Sequence, residues 1–80
     1  MSQHPEVIRV GSTAVVRQDD GSQDTYVVVA PDRANPRSGL VSATSPIGRA
    51  LLGRRVGESV IVPAPGGSFT LTIEGVAFEG

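Results

Sequence analysis

These 80 residues contain no cysteine, no tryptophan, no lysine and a single histidine. Without cysteine there is neither a disulfide framework nor a thiolate metal site, so packing alone must hold the chain together, and a reducing compartment is compatible with it. No apolar run approaches the ~18 to 20 residues needed to cross a bilayer, and no charged-then-apolar leader precedes a cleavage site. The expectation is a cytoplasmic protein with no membrane partner. Seven arginines face eight acidic residues for a net charge of −1. That balance argues against direct nucleic-acid binding by wholesale phosphate neutralisation. Aromatic side chains are equally scarce, being limited to Tyr26, Phe69 and Phe78. Valine, isoleucine and leucine must therefore build the core, and such cores favour sheets.

A chain of this length has room for one small core, burying about 60 to 70 % of its unfolded surface. Residues 1–6 read as a flexible N-terminal arm, with Ser2, Gln3 and Pro5 ahead of the first apolar positions, and residues 7–80 as a single domain. His4 falls in the arm. With no cysteine and no carboxylate pair at ligand spacing, it reads as a solvated side chain.

Val7-Ile8-Arg9-Val10 is a short strand candidate ended by Gly11-Ser12. Thr13 to Arg17 and Thr25 to Ala30 are two β-rich runs joined by a polar loop with a turn-forming Asp20-Gly21, which predicts a hairpin. Asp19, Asp20 and Asp24 cluster there, but an EF-type cation loop needs a longer alternating ligand set and a distal Glu, so they read as a solvated tip. Two prolines and a glycine punctuate Pro31 to Gly39, which predicts a loop carrying Arg33 and Arg37 on a polar surface. Near the end, Val60 to Pro63 and the run from Ser68 to Glu74 are strand candidates linked by Ala64-Pro65-Gly66-Gly67. The last run alternates, with Phe69, Leu71 and Ile73 on one face and Ser68, Thr70, Thr72 and Glu74 on the other. A sheet covered on one side only is expected, giving an α+β class with a curved antiparallel β-sheet and one short α-helix.

That helix lies in Leu40 to Gly53, where an apolar strand turns directly into it. Ser45 suits the cap, Pro46 the first helical position and Gly53 the left-handed residue beyond the end. At about 100° per residue, Ile47, Ala50 and Leu51 share the inner side, Arg49 points outward, and Gly48 and Leu52 lie on the flanks. Two turns are too few to be helical alone in water, so packing must hold them.

A search for a nucleophile with its base, paired carboxylates or a ligand cluster finds none, and no cofactor and no enzymatic activity are expected. Pro65-Gly66-Gly67 lacks the strand-to-helix transition and lysine of a phosphate loop, so it reads as a turn.

The run Ser42-Ala43-Thr44-Ser45-Pro46-Ile47-Gly48-Arg49-Ala50-Leu51-Leu52-Gly53, followed by Val56-Gly57-Glu58-Ser59-Val60, resembles the C-terminal domain of the bacterial Gre transcription elongation factors, GreA and GreB. Gly11-Ser12, Thr25-Tyr26 and Pro65-Gly66-Gly67 also fit, as do Asp32 and Ala34 in the acidic, variable segment before the helix. The resemblance thus extends from about Val7 to Val76. It implies a fold like that of FK506-binding proteins and RNA polymerase as partner, docked at the rim of the secondary channel. Thr44, Ser45, Pro46, Ile47 and Arg49 are the partner-binding residues it implies. Thr44 departs from the Asp or Asn usual at its position in Gre factors. In that family a separate N-terminal coiled coil carries the acidic residues that help a metal ion cleave backtracked RNA. Six residues ahead of the first strand span only ~20 Å fully extended, so no cleavage stimulation is expected of this chain itself. Likeness to prolyl isomerases would require an aromatic-lined pocket, for which the sequence has too few rings. The alternative is a regulatory or structural interaction module, like the short regulators described for nucleoside diphosphate kinase, that has lost the polymerase site. A monomer or weak homodimer is expected in either case.

Overall fold

The computed structural model describes residues 7–78. The arm expected over 1–6, with His4, lies outside the described residues. Five strands and one short α-helix follow in the order β1 (Ser12–Gln18), β2 (Gln23–Val29), β3 (Leu40–Ser42), α1 (Pro46–Leu51), β4 (Ser59–Ala64) and β5 (Gly67–Phe78). The strands form one sheet in the order β3-β2-β1-β5-β4. β1 pairs antiparallel with β2 and with β5, and β5 pairs antiparallel with β4. β2 and β3 instead run parallel, Val28 opposite Val41. The α+β class, the curled sheet and the single α-helix agree with the reading above, and the parallel edge pair makes the sheet mixed rather than wholly antiparallel. The cause lies in the connection, because Pro31–Arg33 and Pro36–Ser38 form two 3-10 turns that carry the chain back before it rejoins the sheet.

Alternation along the strands decides what is covered. Ala14 and Val16 of β1, Val28 of β2, Val60 and Val62 of β4, and Leu71 and Ile73 of β5 are all buried on the concave face. Leu51 closes that core from the helix side, and Ile47, Ala50 and Phe69 pack against it. β5 is twelve residues long and serves two partners, and its pairing with β1 slips at a bulge where Val15 faces Gly75 and Val16 faces Ile73. Glu74 is the extra residue of that bulge. It turns outward, where Arg17 Nε donates to Oε2 at 2.7 Å and Gln23 Nε2 donates to Oε1 at 2.9 Å.

Val7 to Val10 do not form the expected strand. Val7 makes one isolated bridge to Arg55, while the Ile8 amide donates to Arg54 O and the Gly53 amide donates to Ile8 O. The next residues turn back on themselves, the Ser12 amide donating to Arg9 O and the Arg9 amide to Ser12 Oγ. Their polar groups are thereby satisfied locally and across to the segment after α1, leaving Ile8 fully buried and Val10 exposed.

Candidate functional site

The end of β3 and the start of α1 make a tight corner. Ser42 O accepts from the Ser45 amide at 3.0 Å and from Ser45 Oγ at 2.7 Å, so the strand's last carbonyl holds the next turn. Ser45 Oγ in turn accepts from the Gly48 amide at 3.1 Å, satisfying one of the orphan donors of the first helical turn. Thr44 is tied down as well: its amide donates to Ser42 Oγ at 3.0 Å and the two hydroxyls lie 2.8 Å apart. Pro46 opens the helix, and Gly53 follows it in the left-handed conformation at φ 83°, both as expected. The cap, the start and the stop are thus locally encoded.

The corner faces outward. Thr44, Pro46 and Arg49 are exposed, and Ser45 and Ile47 are half-buried. Arg49 makes no ion pair among the described residues. Gly48, placed on a flank by the helical spacing, is in fact buried against the backbone of β3.

Two concavities meet at Pro46 and Pro63. On one side an open groove of about 360 Å³ runs from Ser45, Pro46 and Ile47 across to the β4–β5 hairpin, where Val62, Pro65 and Phe69 form its far wall. Ala34 and Pro36 close its end. Its lining is almost entirely apolar. On the other side a concavity of about 320 Å³ is bounded by Thr44, Arg49 and Ala50 with Ile61 and Pro63 of β4. The five residues expected to meet a partner are therefore brought together, three on the groove and three on its neighbour with Pro46 shared. The opposing wall is not legible in the sequence. Its signal was the cluster Pro63-Ala64-Pro65 ahead of Phe69, which by itself reads only as a turn.

The groove presents an apolar lining with few reactive groups. Ser45 Oγ is engaged as both donor and acceptor, and the one ring in the lining is Phe69, short of the aromatic cage that grips a prolyl ring. Among the described residues no three His, Cys, Asp or Glu side chains gather as a metal site. At the hairpin tip Asp20 accepts from the Ser22 hydroxyl and amide, which hold its carboxyl below the usual range, and Gln18 donates to Asp24. Asp19 and Asp20 are exposed as the sequence predicts, whereas Asp24 is half-buried beside Gln18. Pro65 and Gly66 make a tight turn between β4 and β5, with Ala64 opposite Gly67.

A curled sheet with one short helix among the described residues, and a capped Ser-Pro corner beside an apolar groove, defines a small α+β domain. The model of the C-terminal domain of transcription elongation factor GreA/GreB matches residues 2–78, and the chain belongs to that family. It is 51 % identical over 67 residues to transcription elongation factor GreA of Chloroflexus aggregans, covering 82 % of this chain and 43 % of that protein. Against GreA of Geobacillus kaustophilus it is 40 % identical over 75 residues, covering 92 % of this chain and 48 % of the relative. The chain thus spans about half the length of the curated relatives it matches. Among solved structures it superposes on GreA factor homolog 1 of Thermus thermophilus with a TM-score of 0.81 at 30 % identity, over 96 % of this chain and 52 % of the other. On the GreA/GreB factor of Nitrosomonas europaea the TM-score is 0.78 at 27 % identity, over 95 % of this chain and 64 % of the other. The FK506-binding-protein-like form expected above is consistent with this fold. No helix among the described residues is long and apolar enough to cross a membrane.

Proposed function

We propose that this domain binds RNA polymerase near the secondary channel and modulates transcription elongation by occupying that position. The observation that carries the reading is the outward projection of the capped Ser45-Pro46 corner between an apolar groove and Arg49, in a chain of the GreA/GreB C-terminal family. An apolar side chain of the polymerase fills the groove, Pro46 makes the central contact, and Thr44 and Arg49 form the polar rim. No transcript-cleavage activity is assigned to the domain itself.

One position favours the alternative, a regulatory interaction module that keeps the scaffold without the polymerase site. Thr44 offers a neutral hydroxyl already shared with Ser42 Oγ, a weaker partner for a cation than a carboxylate. Capture of purified RNA polymerase on the immobilised chain separates the two readings. The docking reading expects binding that a full-length Gre factor displaces and that Pro46→Asn weakens by about tenfold or more, the scale of one central contact residue. No binding, or binding indifferent to both competitor and substitution, leaves the alternative.

A further inference from the structure

We infer that Gly48 is a positioning residue for the docking corner, acting through the side chain it lacks; the inference rests on the docking reading above. A Cβ built on Gly48 would lie 2.0 Å from Ser42 O, 2.9 Å from Ser42 C and 3.0 Å from Ala43 Cα. All three atoms are backbone, so no rotamer change relieves the contact. Gly48 is not among the described glycines with positive φ, so conformational freedom is not what requires glycine there. What requires it is the closeness of helix to strand.

The struck atom is the one that holds the corner. Ser42 O accepts from both the amide and the hydroxyl of Ser45, and Ser45 Oγ accepts from the Gly48 amide, so one continuous run of bonds links residues 42, 45 and 48. Relieving a 2.0 Å contact needs the first turn of α1 to move off β3 by about 1 Å or more. Leu51, fully buried at the other end of the helix, stays anchored, so the helix rocks instead of sliding. Its outward end carries Pro46, the helix residue common to both concavities, which it shares with Pro63 of β4, and the rocking shifts it against Phe69 on one side and Ile61 on the other.

Gly48→Ala tests this in the whole chain. Expected are amide chemical-shift changes concentrated over residues 42–50, with polymerase binding weakened by about tenfold or more. The control Ile73→Val, a core change in β5, should bind like wild type. A folded Gly48→Ala chain with an undisturbed corner, or with wild-type binding, overturns the inference. If the variant does not fold, hydrogen exchange on the wild type decides: a Gly48 amide protected like the core strands supports it, and one exchanging like an open loop overturns it. A wild-type chain that does not bind polymerase overturns the docking reading instead, and the shift pattern then judges the positioning of the corner by itself.

Discussion

Leu51 is fully buried under a helix of only six residues, a length that has no stability of its own in water. Its side chain is the main apolar attachment of α1 to the sheet, so Leu51→Ala is expected to cost about 2 to 5 kcal/mol, the range for a leucine that leaves a cavity in a core. Urea titration followed by circular dichroism reads this directly, and an unchanged midpoint would rule out the packing role. Leu51, Ser45, Pro46 and Gly53 could all be placed from the sequence, because spacing, capping chemistry and left-handed preference are properties of neighbouring residues. Gly48 could not. A helical wheel sorts residues by angle, whereas the reason for glycine there is a carbonyl six residues upstream brought close by the turn.

Along β5 the alternating run can be read correctly as far as Glu74, since a period of two fixes which face a side chain takes. Beyond that point the bulge resets the register, and the pattern gives no warning because the extra residue is defined by its partner strand. Period also says nothing of which strands pair, so the parallel match of β3 to β2 is not legible in it. The bulge has a polar clamp: Arg17 donates through Nε and Nη2 to the two oxygens of Glu74, and Gln23 supports one of them. Donation from Arg17 first, and from Gln23 second, holds the Glu74 carboxyl below its ordinary range. A carboxyl lowered in the folded state stabilises the fold above its unfolded pKa and loses that contribution as pH falls through its folded one. Wild type should therefore lose stability from about pH 4.3, the ordinary Glu value, downward more steeply than Glu74→Gln, while at pH 7 the variant is the less stable of the two. The clamp is exposed, so the difference is small. Urea midpoints from pH 7 down to pH 3 for both chains give the comparison, and parallel curves would dismiss the clamp.

For the molecule as a whole, the problem posed by an open five-stranded sheet is its two edges, β3 and β4, each a row of backbone groups that another chain can pair with. β3 is held to three residues and is flanked by the turns at Pro31–Arg33 and Pro36–Ser38, so it offers little to add to. β4 is longer and carries Ile61 with 69 % of its surface exposed, which by itself invites a partner strand. Pro63 answers that invitation. Lacking an N–H, it is tolerated on an edge strand and leaves a gap in the row of donors an incoming strand would use. α1 packs on β4 and also touches β3, plugging the open side of the half-barrel between the two edges. The same geometry that leaves the Ser-Pro corner free thus discourages the sheet from extending itself. Sedimentation equilibrium should find the wild-type chain monomeric over micromolar concentrations, and Pro63→Val, which restores a donor beside Ile61, should self-associate as concentration rises. A variant that stays monomeric would show that the proline does not guard the edge, and a wild-type dimer that Ile61→Thr dissolves would make β4 an interface in its own right.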